Sequence, residues 1–131
     1  PEINHAAARV LNRLGIQAIP ADGCCGALPQ HLSAEQQTLQ AVRRNIDRWW
    51  PLIEEGAESL LLTASGCATT VLDYGRLLEN DPKYAKRAQK LSELAMDISQ
   101  FMGQEDLSLF HQPGDLRPAV AFHSPCTLQH G

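Results

Sequence analysis

The sequence predicts an α/β fold in which helices flank a short parallel sheet. Three short apolar runs, at residues 16–19, 59–63 and 119–122, have the length and composition of buried strands. Stretches with helical spacing separate these runs, and strands that alternate with helices of ten or more residues are typical of parallel sheets. The hydrophobic fraction of 44% in 131 residues suits one core, so we expect a single domain over residues 1–131.

The first predicted helix begins with Asn4 as its N-cap and ends at Gly15, which suits a left-handed C-cap. Its apolar face consists of Ala7, Val10, Leu11 and Leu14. The first strand follows at 16–19 and is closed by Pro20, and residues 21–32 are predicted to form a loop.

Ser33 is predicted to begin the clearest helix of the chain, because Ser33 and Gln36 have the spacing of a capping box. The apolar stripe of this helix is Leu39, Val42, Ile46, Trp49 and Ile53. We expect Pro51 to kink or shorten the helix and Gly56 to end it. The second strand then occupies residues 59–63.

A further helix is predicted from Cys67 to about Asn80. Its inward-facing residues are expected to be Val71, Leu72 and either Leu77 or Leu78. Asp81 and Pro82 have the pattern of an N-cap followed by a first-turn proline, and helical spacing then continues to Gly103 as one or two helices. A loop at 104–117 leads to the third strand at 119–122.

Composition excludes several classes of function. The net charge of −4 argues against a protein that grips nucleic acid through its phosphates. No apolar run is long enough to span a bilayer and no export signal is evident, so we expect a cytoplasmic protein. Four cysteines are too few for a disulfide scaffold. The chain begins with Pro1 instead of Met, which indicates a processed chain or a piece of a longer one.

Every cysteine follows a predicted strand. Cys24 and Cys25 follow the first strand, Cys67 follows the second at the start of a helix, and Cys126 follows the third. Because the carboxyl ends of parallel strands share one edge, we expect the four sulfurs to lie on one side of the molecule. Cysteines that served only as small core residues would lie on the apolar stripes instead.

This arrangement leaves a soft-metal site, a disulfide or a catalytic thiol pair at Cys24–Cys25 as alternatives. Thiolates select zinc, copper(I) or iron–sulfur clusters. Zinc usually brings ligands in Cys-x2-Cys pairs, which the sequence lacks, whereas adjacent cysteines suit different irons of a cluster, so we favour iron–sulfur. The helix N-terminus at Cys67 predicts a lowered thiol pKa. The residues expected to support the ligands are Gly26, His31, Gly66 and His123.

Several motifs together resemble the cysteine-rich CCG family, and within it the iron–sulfur subunits of the glycolate oxidase type. The cysteine motifs that carry the resemblance are Cys24-Cys25-Gly26-Ala27-Leu28, Thr63-Ala64-Ser65-Gly66-Cys67 and the stretch from His123-Ser124-Pro125-Cys126 to Gly131. Three further segments also match: Asn45-Ile46-Asp47-Arg48-Trp49-Trp50-Pro51, Tyr74-Gly75 and Asp81-Pro82.

The resemblance implies an electron-transfer role. Such subunits pass electrons, which an FAD-containing dehydrogenase partner takes from a 2-hydroxy acid, towards an acceptor, and their complexes associate with the inner face of the membrane. It also implies that Cys24, Cys25, Cys67 and Cys126 are cluster ligands. A zinc-binding or metal-free scaffold for a partner subunit stays open as an alternative.

The family pattern is incomplete in this chain. The cysteine that opens the first repeat would precede Pro1, and Cys67 stands alone where the family has Cys-x-x-Cys. The remainder of the second repeat would follow Gly131. We therefore expect a fragment of a longer iron–sulfur subunit, with an absent or incomplete cluster and no oxidoreductase activity of its own.

Overall fold

A computed structural model describes residues 2–110 and residues 119, 121, 123 and 126. Within them the regular elements, in chain order, are α1 (Glu2–Arg13), α2 (Ala27–His31), α3 (Glu35–Glu54), β1 (Leu60–Leu62), α4 (Ser65–Leu72), α5 (Tyr74–Leu77), α6 (Ala85–Leu94), β2 (Ala95–Asp97), α7 (Ile98–Met102) and a 3-10 turn at Leu107–Phe110. No helix in this part of the chain is long and apolar enough to cross a membrane.

The sheet in the described residues consists of β1 and β2, which run parallel. Leu60 lies opposite Ala95 and Leu62 lies opposite Asp97. The chain between the two strands forms α4, α5 and α6, because parallel neighbours require a long crossover. The fold is mostly helical with a small parallel sheet, which confirms the predicted α/β class.

The core lies between α3, α5, α6 and the sheet. The predicted stripe of α3 faces it, with Val42 and Ile46 fully buried and Trp49 nearly so. The remaining members of the core cluster are Cys25, Leu60, Val71, Tyr74, Leu78, Tyr84, Ala88, Leu91 and Ala95. One cysteine therefore belongs to the core itself, which ties the cysteine segment to the packing of the whole domain.

The N-terminal region differs from the prediction in two respects. Asn4 lies inside α1 and does not cap it, although Gly15 adopts the expected left-handed conformation with a φ of 79°. The strand predicted at 16–19 does not form: this segment is irregular, and Ile19 is 50% exposed. A strand needs a pairing partner as well as an apolar composition, and in the described sheet β1 pairs with β2.

The ends of α3 also need correction. The helix begins at Glu35 with Ala34 as an N-cap that has no side-chain hydrogen bond, so Ser33 and Gln36 form no capping box. Pro51 does not end the helix, which continues to Glu54. A proline so close to the C-terminus of a helix removes a single hydrogen bond. The helix is ended, as expected, by Gly56, whose φ is 107°.

The region after β1 contains a strand that the sequence did not predict. The helical spacing expected up to Gly103 is interrupted by β2, whose Asp97 side chain accepts a hydrogen bond from the backbone N–H of Ser99 and caps α7. The helix after Cys67 is divided into α4 and α5, and Leu72 is 44% exposed instead of buried.

Two predictions at the C-terminal end have different outcomes. The loop predicted at 104–117 includes the 3-10 turn at Leu107–Phe110, and residues 111–117 lie outside the described residues. The third strand at 119–122 lies partly outside the described residues and stays a prediction.

Candidate functional site

Two of the predicted ligands lie in direct contact. The Sγ atoms of Cys25 and Cys67 are 3.0 Å apart, and both cysteines are free. This separation exceeds the roughly 2.05 Å of a disulfide bond, so the contact joins two thiols. Cys25 lies in the irregular segment between α1 and α2, and Cys67 lies in the first turn of α4, which follows β1.

The other two cysteines are less closely engaged. Cys24 is exposed and is the chain neighbour of Cys25. Cys126 is also exposed. Within the described residues, no group of three or more His, Cys, Asp or Glu side chains converges on one point. The described residues therefore hold a pair of thiols with a third nearby.

The electrostatics of Cys67 differ from the prediction. Burial raises the pKa of Cys67 to about 11, and its hydrogen bond with Cys25 and the charges of Cys25 and Cys24 act in the same direction. The lowering expected from the helix N-terminus is therefore wrong, because burial and neighbouring thiols outweigh the dipole. The raised pKa keeps the Cys67 thiol protonated at neutral pH.

The Cys24–Cys25 backbone is held by side chains from the core. Asn45 Nδ2 donates to the Cys24 carbonyl at 2.7 Å and to the Tyr74 hydroxyl at 2.8 Å. The Tyr74 hydroxyl in turn donates to the Cys25 carbonyl at 2.9 Å. Asn45 in α3 and Tyr74 in α5 thus hold the peptide units of the two cysteines.

The residues before Cys24 are held by the same face of α3. Trp49 Nε1 donates to the Asp22 carbonyl at 2.9 Å, and the Trp49 ring stacks on Tyr74 with centroids 6.2 Å apart. A Cβ atom at Gly23 would lie 2.4 Å from Asn45 Oδ1, so only glycine allows the segment to approach α3 this closely. The segment follows the surface of α3 and needs no strand before it.

The residues predicted to support the ligands occupy different surroundings. Gly26 has a φ of 86° and lies directly before α2, where a Cβ would touch Ala41 at 3.4 Å. Gly66 lies in the first turn of α4, and nothing lies within 4 Å of where its Cβ would be. His31, at the end of α2, and His123 are both exposed. Their roles toward a ligand stay predictions.

Sequence reasoning missed the residues that hold the cysteine segment. Asn45 lies on the same face of α3 as Val42, Ile46 and Trp49, and a polar residue inside an apolar stripe is a signal that it has a specific partner when buried. Tyr74 and Gly23 gave no comparable signal, because their partners come from distant parts of the chain.

The donor set fits a thiophilic metal group in its chemistry. The converging side chains are soft sulfur donors, which favour iron–sulfur clusters, zinc or copper(I) over hard cations. One thiol is 8% exposed and belongs to the core, so a bound group would be shielded from water on that side. A metal group at this site would take the thiols of Cys25 and Cys67 as two of its ligands.

Comparison with known proteins identifies relatives of this chain. Residues 1–71 match the family model described as CCG, a cysteine-rich domain. The chain is 51% identical over 132 residues to the glycolate oxidase iron-sulfur subunit of Escherichia coli (strain K12), an alignment that covers 99% of this chain and 32% of that protein. It is 29% identical over 129 residues to lactate utilization protein A of Bacillus thuringiensis (strain Al Hakam), with coverage of 96% and 51%.

These relatives are longer than the chain. It spans about a third of the glycolate oxidase subunit and about half of the lactate utilization protein. No solved structure matches it.

Proposed function

Because the chain belongs to the CCG cysteine-rich domain family, we propose that it is part of an electron-transferring iron–sulfur subunit of a 2-hydroxy-acid dehydrogenase complex. The complex is of the glycolate oxidase type, and an FAD-containing dehydrogenase subunit is the electron donor. Half of the residues aligned with the E. coli glycolate oxidase iron-sulfur subunit are identical, and lactate utilization protein A is a second relative. Both relatives support an oxidoreductase of hydroxy acids.

The observation that carries this proposal is the contact between Cys25 and Cys67. Two thiols from segments 42 positions apart meet at 3.0 Å, at a place where core side chains hold one of the two segments. A packing role would not require Cys67 to be brought to Cys25 and left partly exposed beside an exposed Cys24.

The proposed ligands are Cys24, Cys25, Cys67 and Cys126. When bound, an iron–sulfur cluster supplies a one-electron carrier. Cys25 and Cys67 would hold it from the core side, and the exposed Cys24 and Cys126 would complete the proposed set. The Cys67 thiol, whose pKa burial raises, would lose its proton when the metal binds.

The proposal extends to the organisation of the protein. Residues 1–131 form a single CCG domain within a longer iron–sulfur subunit, which supplies the remaining ligands and the contact with the flavoprotein. The location is cytoplasmic, with association to the inner face of the membrane through the complex. The domain alone has no dehydrogenase activity, because electron entry depends on the flavin of the partner.

Metal analysis tests this function directly. The full natural polypeptide that contains this chain is purified without oxygen, reconstituted with iron and sulfide, and examined by elemental analysis, absorption and electron paramagnetic resonance. Iron and sulfide in matching amounts, with a paramagnetic signal after reduction, support the proposal. Stoichiometric zinc without iron, or no metal at all, refutes it and favours a scaffold for a partner subunit.

A further inference from the structure

The segment that carries Cys24 and Cys25 is irregular, yet core side chains bond to it along residues 22–25. Its carbonyl groups at Asp22, Cys24 and Cys25 accept hydrogen bonds from Trp49, Asn45 and Tyr74 respectively. A backbone that lies against the core outside a helix or sheet needs such partners, since unpaired buried polar groups are costly. Core side chains of this domain therefore pack against one another and also donate hydrogen bonds to the cysteine segment.

Two of these partners are unusual residues for their positions. Asn45 is 4% exposed in the middle of α3, and Tyr74 is fully buried. An apolar side chain at either place would add to packing without the cost of burying a polar group. The hydrogen bonds explain why these residues are polar. Asn45 Nδ2 donates one hydrogen to the Cys24 carbonyl and one to the Tyr74 hydroxyl, and the Tyr74 hydroxyl donates to the Cys25 carbonyl.

We propose that Asn45 and Tyr74 are positioning residues for the cysteine ligands, an inference that rests on the proposed iron–sulfur function. By fixing the peptide units of Cys24 and Cys25, they aim the Cys25 thiol at Cys67 before any iron binds. Half of the ligand set is thereby formed by the apoprotein. A preformed half-site reduces the ordering that metal binding must otherwise impose on the chain.

The chain offers a matched pair of variants for the test. Tyr74→Phe removes the hydroxyl that joins Asn45 to the Cys25 carbonyl. Tyr84→Phe removes a hydroxyl from another buried tyrosine of the same core cluster, and the partner of that hydroxyl is Asp47 Oδ2 at 2.8 Å instead of a cysteine carbonyl. Both variants lose one tyrosine hydroxyl: Tyr74→Phe releases Asn45 and the Cys25 carbonyl, whereas Tyr84→Phe releases Asp47.

The first readout needs no metal. The metal-free polypeptide is treated with iodoacetamide under native conditions, and the modification of each cysteine is followed by mass spectrometry. We expect Cys25, which is 8% exposed in the parent, to react on the order of tenfold faster in Tyr74→Phe. The hydrogen bond to the Cys25 carbonyl is then lost, and one buried hydrogen bond corresponds to a change of that size in the equilibrium between the closed and the open segment. Tyr84→Phe is expected to leave the Cys25 rate unchanged.

The second readout separates positioning from general stability. After reconstitution, the electron paramagnetic resonance spectrum of Tyr74→Phe is expected to differ from that of the parent, whereas the spectrum of Tyr84→Phe overlays it. If Tyr74→Phe does not fold, Gly23→Ala replaces it, since a Cβ there would lie 2.4 Å from Asn45 Oδ1 and displaces the carboxamide.

The outcomes distinguish this inference from the proposed function. Equal Cys25 rates in Tyr74→Phe and Tyr84→Phe overturn the positioning role. A faster Cys25 reaction with an unchanged spectrum also overturns it, because the hydrogen bonds would then support the fold alone. A parent polypeptide that binds no iron refutes the iron–sulfur function, and the Cys25 rates still decide whether Asn45 and Tyr74 fix the segment.

Discussion

The contact between Gly23 and Asn45 gives a prediction whose size follows from the structure. Gly23 has a φ of 155°, which side chains rarely allow. A Cβ at this residue would lie 2.4 Å from Asn45 Oδ1 and 3.2 Å from Trp49 Cζ2. Both neighbours are buried within the core face of α3, so the substitution Gly23→Ala forces either the segment or the carboxamide to move.

The cost has two parts. If Asn45 turns away, its hydrogen bonds to Cys24 and Tyr74 are lost, at about 1 kcal/mol each. The backbone conformation adds about 1 to 3 kcal/mol for a residue with a side chain. The smaller entropy of the unfolded alanine chain offsets roughly 0.4 to 1 kcal/mol. The free energy of unfolding is therefore expected to fall by about 2 to 5 kcal/mol.

Urea unfolding followed by tryptophan fluorescence measures this change, since Trp49 lies against the affected segment. The control is Gly103→Ala, where φ is −67° and the added Cβ would make an ordinary contact at 3.4 Å with the Ser99 carbonyl. We expect that variant to unfold within about 0.5 kcal/mol of the parent. A Gly23→Ala variant with the urea midpoint of the parent would refute the argument that the segment is held by close approach to α3.

Three further predictions address the core, the thiols and the metal. Ile46→Ala removes a fully buried side chain and is expected to lower the free energy of unfolding by about 2 to 5 kcal/mol. The control Ile3→Ala, at a residue that is 71% exposed, should change it by less than about 0.5 kcal/mol, and equal losses would contradict the assigned core. Because the pKa of Cys67 is raised from 9.0 to about 11, its thiolate fraction at pH 8 is about 100-fold below that of a free cysteine. The rate of Cys67 alkylation in the metal-free chain should therefore increase with pH up to about 11. A midpoint of this pH profile near 9 would disprove the effect of burial. Cys25→Ser and Cys67→Ser in the full polypeptide are each expected to reduce bound iron by on the order of tenfold, measured by elemental analysis after reconstitution, and unchanged iron in either variant would exclude that cysteine as a ligand.

The elements that sequence reasoning predicted are those whose burial is visible in a local pattern. The stripe of α3 repeats at helical spacing, and the leucines of β1 form an uninterrupted apolar run, so both were found. The strand β2 was missed because Ala95, Met96 and Asp97 include no β-branched or aromatic residue, and Leu91 and Ile98 on either side continue a helical spacing. Its strand character comes from pairing with β1, which a local pattern does not contain.

The opposite error occurred at residues 16–19. This run has a strand-like composition, but in the structure it is irregular and half-exposed at Ile19. Composition indicates that a segment could pair, whereas the sheet decides whether a partner is present. Cys25 and Cys67 nevertheless meet, because Cys67 does follow β1 and Cys25 reaches it by another route.

That route gives a structural role to three residues in the segments that resemble the family outside the cysteine motifs. An irregular segment cannot satisfy its own carbonyl groups, so its conformation depends on donors elsewhere in the domain. Here the donors are Asn45, Trp49 and Tyr74, and each lies in one of the segments that matched the family outside the cysteine motifs. Cysteine spacing alone would leave the Cys25 thiol free to adopt many directions. The direction toward Cys67 comes from a core that packs and donates hydrogen bonds at once. If the cysteines bind metal as proposed, a domain with the same four cysteines but apolar residues at positions 45 and 74 would have to obtain its ligand geometry from the metal.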